Sequence, residues 1–156
     1  MNELSLLTNF LVSQFEADDL VNTISMVPTK FMDNNKENIY QLVNIDYIQS
    51  EFVGGEDGTS KSIIARYLIT AVQQRDIKPK KLDSKLRLDI NLIDNWNETL
   101  SVITSFLNWL DSNNQIDGIL LYNKTTTTVL QDFNKNGLDG HQITIELSIP
   151  NKGSGC

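Results

Sequence analysis

The sequence predicts an α+β fold, built as a mainly antiparallel sheet with a long β-hairpin and two helices packed on one face. Three observations predict it. The element order is helix, two long strands, a basic linker, helix, then two or three strands, which segregates strands from helices rather than alternating them. Residues 141–149 alternate cleanly between apolar and polar, as a half-buried strand does. No unit of 20–50 residues repeats, so residues 1–150 read as a single α+β domain followed by a flexible tail over 151–156.

The first element is an amphipathic helix over Leu4 to Met26. Leu7, Phe10, Leu11, Gln14 and Phe15, then Leu20 and Ile24, recur at helical spacing, with Glu16, Asp18 and Asp19 on the other side. Pro28 is expected to stop it, and Thr29 to Asn38 reads as a polar loop. Ile39 to Val53 is a long strand. Ile39, Val43, Ile45 and Tyr47 share one face before the apolar face switches to Ile48 and Phe52, which predicts a bulge near Tyr47-Ile48. Gly54 to Gly58 forms a protruding tip. Ser62 to Gln74 fits a strand through Ile63, Ala65, Tyr67, Ile69 and Ala71, and a helix through Ile64, Leu68 and Val72. Its β-branched and aromatic content favours strand.

Asp76 to Lys85 holds the one basic cluster, Lys78, Lys80, Lys81 and Lys85, and Leu86 to Leu92 alternates as a short strand or arm would. The second helix begins at Asn95, which stands three residues before Glu98 at capping-box spacing. Leu100, Ile103, Phe106, Leu107 and Leu110 form its apolar stripe, and Asn113-Asn114 ends it. Gly118 to Tyr122 and Thr125 to Phe133 are short strands. Asn136-Gly137 supplies a turn signal. In the last strand Ile143, Ile145, Leu147 and Ile149 point inward, and Pro150 ends it.

Composition narrows function. The 156 residues carry 13 Lys+Arg against 20 Asp+Glu, a net charge of -7, whereas nucleic-acid binding needs a basic surface to displace counterions. A hydrophobic content of 40% suits a packed core. A single cysteine, Cys156, and a single histidine, His141, leave no intrachain disulfide or Cys-based zinc site and little room for His-centred catalysis. No transmembrane run and no basic leader are read at the N-terminus. The 17 asparagines read as coding bias rather than chemistry. The expectation is a soluble, intracellular, non-enzymatic domain with no cofactor or metal.

Each candidate motif has a plainer reading. Gly54 to Ser62 contains glycines and a Lys61-Ser62 pair, but Ser60 precedes Lys61, and Glu56 and Asp57 would repel phosphate, so it is a hairpin tip rather than a phosphate loop. Taking Asp132 as the first position of a calcium loop puts Gly137 sixth but Ile143 twelfth, where a bidentate Glu is required. That stretch reads as a polar turn. His141 has no nucleophile in a recognisable elbow and reads as a surface or strand-edge histidine. Asp46, Glu51, Glu56 and Asp57 read as solvated charges. Trp109, beside Leu110, reads as core, while Trp96 stays open between core packing and interface anchor. The Lys78–Lys85 stretch is expected to pair with an acidic neighbour rather than with DNA.

The layout resembles that of tail-terminator or tail-completion proteins and neck ring proteins of tailed bacteriophages. The likeness is carried by the helix Leu4 to Met26, the hairpin from Ile39 through Gly54-Gly55 to Ile69, the helix Asn95 to Asn113, and the closing unit Gly118 to Tyr122 with Gly140 to Pro150. The Asn-rich wording is similar to phages of Bacteroidetes hosts, including the crAss-like group. The resemblance implies a homo-oligomeric ring, a hexamer or dodecamer, held between adjacent connector or neck proteins and tail proteins. DNA would pass its lumen without specific binding, and no membrane is involved. It implies localisation to the virion tail or neck, and to the host cytoplasm during assembly. Inter-subunit contacts are then expected at Glu51, Glu56, Asp57, Lys78, Lys80, Lys81, Lys85 and Trp96. The alternative is a small monomeric regulatory or ligand-binding α+β phage protein.

Overall fold

A computed structural model describes residues 3–32, 39–54, 60–75, 91–112, 120–124, 126–133 and 137–150. The fold is α+β with a mostly antiparallel sheet. Helix α1 spans Glu3–Glu16 and buries Leu7, Phe10, Leu11 and Phe15 along one face. It is shorter than its periodicity suggests. The Asp18 carboxylate accepts the Leu20 N–H at 3.0 Å, and the Val21 N–H bonds to the Asp18 carbonyl. A side chain that satisfies local backbone in this way competes with the helix ladder. Leu20 is left exposed, and Ile24 enters a strand instead, β1, Thr23–Ser25. Pro28 starts an element rather than ending one, since it precedes a 3-10 turn over Thr29–Phe31. Met32, within the expected polar loop, is buried.

Strands β2 (Leu42–Gly54) and β3 (Ser60–Gln74) pair antiparallel from Leu42↔Val72 to Gly54↔Ser60, with a register shift between Tyr47 and Gln49. Ile48 is the extra residue of that bulge. The helix-or-strand ambiguity of residues 62–74 resolves to strand. The basic cluster at 78–85 lies outside the described residues, as do the tip 55–59 and the tail 151–156.

Helix α2 spans Leu92–Ser112, so Leu92 opens the helix instead of ending an alternating strand. Asn95 lies inside it: its N–H bonds to the Asn91 carbonyl at 3.0 Å, and its side chain is buried. The capping box is therefore overturned. Glu98 instead accepts from Gln73 at 3.1 Å. The buried face is Leu92, Asn95, Thr99, Val102, Ile103, Phe106 and Leu110, while Leu100 is exposed. The face includes two polar residues because partners on the sheet satisfy them, a feature that apolar periodicity cannot display.

Strands β4 (Leu120–Lys124) and β5 (Thr128–Phe133) both pair antiparallel with β6 (Leu138–Pro150), one after the other along the same edge. The sheet order is β1-β2-β3-β6-β4, with β5 also on β6, and the β1–β2 pairing is parallel. Alternation sets one face of the sheet. Val43 and Ile45, then Ala65, Tyr67, Ile69 and Ala71, then Ile143, Ile145, Leu147 and Ile149 join one core cluster with residues from both helices. Phe15 and Phe106 stack at 4.6 Å, tying α1 to α2. A smaller cluster of Met32, Leu42, Val72 and Leu138 fills the other face at one end. At Gly140, an added Cβ would lie 2.0 Å from the Ala71 carbonyl oxygen, so no side chain fits between β3 and β6 there.

Candidate functional site

Polar chemistry gathers at the end of the sheet where β3 leaves and β6 begins. Asp139 is fully buried. Its carboxylate accepts Arg75 Nε at 3.1 Å and Arg75 Nη2 at 2.6 Å, a bidentate fork. It also accepts the Asp132 N–H at 3.0 Å. The Asn95 side chain donates to the Gln74 carbonyl at 3.2 Å and reaches Asp139 at 3.5 Å. The Asp139 hydrogen bonds hold the Arg75 guanidinium even further into its charged form. One turn along α2, Thr99 Oγ1 lies 2.8 Å from both the Asn95 carbonyl and His141 Nδ1. A hydroxyl that donates to that carbonyl accepts from the Nδ1–H of a neutral imidazole.

His141 is thus no surface histidine. It is 5% exposed, and burial lowers its pKa below the ordinary 6.5. The reason sequence reading misplaces it is its neighbour: β6 is covered by α2 through Thr99, a polar contact with no apolar signature. The cluster holds α2 against the sheet, and its acceptors and donors are spent on one another. It has the form of a structural clamp rather than of a catalytic centre.

The opposite end of β2 and β3 differs. Beyond the bulge, Tyr47, Ser50 and Phe52 share the helix-side face with Ile63 and Ala65. Together with Leu4 and Leu7 of α1 they line a cavity of about 240 Å³. The Tyr47 hydroxyl bonds to Ser50 Oγ. Behind it, the Tyr67 ring lies 5.6 Å from that of Tyr47. Burial pushes the Tyr67 phenol up to about 12. A side-chain hydrogen bond from Thr8 of α1 offsets part of that shift. At this end of β2 Tyr47 (40%), Ile48 (46%), Phe52 (67%) and Val53 (41%) are exposed, of which Tyr47 and Phe52 line the cavity. Four consecutive-range apolar side chains uncovered on one strand exceed what scattered surface residues explain.

Of the contact residues expected from sequence, two lie within the described residues. Glu51 is exposed on β2, opposite Ile64, at this apolar end. Trp96 is half-buried at the other end, where its Nε1–H donates to the Leu130 carbonyl at 3.0 Å. Leu130 pairs through Gly140 with Val72, eight positions along β3 from Ile64. Strand rise puts that span at roughly 26 Å, so Glu51 and Trp96 belong to different places on the surface. Glu56, Asp57, Lys78, Lys80, Lys81 and Lys85 lie outside the described residues. Sequence reading missed Tyr47, Ser50 and Phe52 as a group. The signal was present, since the predicted bulge moves Ser50 and Phe52 onto the face that Tyr47 already occupies. No protein-family model matches the chain, and no curated protein is similar to it.

Proposed function

We propose that this chain is a structural assembly protein, and that its assembly is the ring at the head–tail junction of a tailed phage that its layout resembles. In that reading the ring joins connector to tail, and DNA passes through its lumen. The observation that carries the assembly reading is the uncovered apolar end of β2, where Phe52 is 67% exposed beside an apolar cavity. Such a patch marks a protein–protein contact. The cavity, at about 240 Å³, falls below the roughly 300–1,000 Å³ of small-molecule sites. It suits one inserted side chain better than a free ligand. The net charge of -7 supports a surface along which DNA slides without sticking. The burial of His141 against Thr99 disfavours a catalytic role for the chain's one histidine.

Electron micrographs and light scattering of the purified chain, alone and co-expressed with the products of its neighbouring genes, test this reading. Closed rings are expected. A strict monomer under both conditions overturns it. Replacing Lys80 and Lys81 with Glu is expected to abolish incorporation into particles while leaving the subunit folded, and normal incorporation would remove that contact from the proposal.

A further inference from the structure

Helix α2 is held to the molecule by two different chemistries. Its second half is apolar. Val102, Ile103, Phe106 and Leu110 sit in the main core, Phe106 stacks on Phe15 of α1 at 4.6 Å, and the Trp109 ring lies 4.6 Å from that of Phe10. The first half is polar. Among residues 92–99, Leu92 is the one buried apolar side chain, it belongs to neither core cluster, and Ile93 is exposed. Hydrogen bonds seat these turns instead. Asn95 donates to the Gln74 carbonyl, Trp96 Nε1–H to the Leu130 carbonyl, Gln73 to Glu98, and Thr99 meets His141. Each such bond replaces one to water, so its net gain is modest. The first half is therefore the weaker seat.

His141 is the member of this set that changes charge near neutral pH. It pairs with Ala71 of β3 and Val129 of β5, and its side chain lies under Thr99. Thr99 Oγ1 donates to the Asn95 carbonyl, so the seated form holds a neutral ring through its Nδ1–H. Among the described residues, the charged groups on the elements around it are Glu98 of α2, Arg75 just past β3, Asp132 of β5 and Asp139 of β6. Asp139 and Asp132 face Arg75 at 2.6 and 3.7 Å, and the exposed Glu98 takes Gln73. These carboxylates are committed elsewhere. A proton on the buried ring is then accommodated without an ion pair, which is costly, whereas a solvated imidazolium bears no such cost.

We propose that the first half of α2, residues 92–99, is an acid-released latch: protonation of His141 frees it from the sheet while the second half stays docked on α1 and the core. The direction follows from linkage. A released ring takes its proton at the ordinary 6.5, and the seated ring only at lower pH, because burial disfavours its charge. The released form therefore gains on the seated form as pH falls below 6.5, by up to about tenfold per pH unit, and the gain levels off below the seated pKa. Carboxylates titrate near about 4, so between pH 7 and 5 the effect belongs to the chain's one histidine. The latch goes beyond the assembly reading and does not depend on it.

Amide hydrogen exchange of the full chain between pH 7 and 5, corrected for the intrinsic rate, reads such local opening. An NMR titration of the single imidazole runs beside it. Protection of the amides from Trp96 to Leu100 is expected to fall by about tenfold, in step with an imidazole midpoint below 6.5, while the amides from Ile103 to Leu110 change by less than about twofold. In H141Q the fall should vanish. Three results overturn the latch. One is an equal loss of protection in both halves, which means that the domain opens as one unit. Another is unchanged protection of the first half while the imidazole titrates. The third is a fall of the same size in H141Q. The first two are read on the native chain and need no variant to fold.

Discussion

At one end of the sheet Arg75 is locked between β3 and the buried carboxylate of Asp139, with α2 clamped above through Asn95 and Thr99. At the other end, Phe52 stands in solvent beside an apolar cavity and Ile48 is exposed near it on the same strand. Both ends belong to the same long strand pairs. The first end has spent its polar groups on itself, and the subunit gains rigidity there. The second leaves apolar area uncovered, and burying such area is favourable at roughly 25 cal/mol per Å². The difference separates what the subunit needs in order to fold from what it offers to a neighbour.

Four experiments break or sharpen that contrast. The largest effect is expected from Asp139→Ala. It leaves Arg75, whose side chain is 18% exposed, without its main partner and should cost about 4 kcal/mol, read as a shift in urea midpoint. A loss well under 1 kcal/mol would show that the clamp is not the stabilising end. Gly140→Ala forces a Cβ onto the Ala71 carbonyl oxygen and should cost about 3 kcal/mol by the same measure.

The third effect is pH-dependent. His141 has a folded pKa lowered below 6.5 by burial, so the unfolded chain takes up the proton more readily. Its contribution is fully present above pH 6.5 and is lost as pH falls through the folded pKa. The urea midpoint should therefore fall more steeply with acid in the native chain than in His141→Gln. Parallel pH profiles would contradict the buried neutral state. The smallest effect on the monomer is expected at the other end. Phe52→Lys should change folding stability by no more than about 0.5 kcal/mol while removing self-association. A large loss of stability would mean that Phe52 belongs to the subunit's own core.

Much of the fold was legible because burial on this sheet follows simple alternation. The inward residues Ile143 to Ile149 and Ile63 to Ala71, the shift of face near Ile48, and the burial of Leu7, Phe10, Leu11 and Phe15 all follow from spacing. The errors have a common cause. Asp18, Asn95, Thr99 and His141 are polar residues whose roles depend on a partner far along the chain or on a local turn, and hydrophobic periodicity is silent on such partners. The uncovered end of β2 was half legible. Its apolar residues and its bulge could be read from the sequence, but their exposure could not.

The sequence by itself determined the α+β class, the strand faces and the acidic charge, because each depends on residue type and local period alone. Only the tertiary structure decided that α1 stops at Glu16, that His141 is buried against Thr99, and that the helices leave the far end of β2 uncovered. Those outcomes depend on which groups meet across long sequence separations: Arg75 with Asp139, Thr99 with His141, and Leu4 and Leu7 with the cavity beside Phe52.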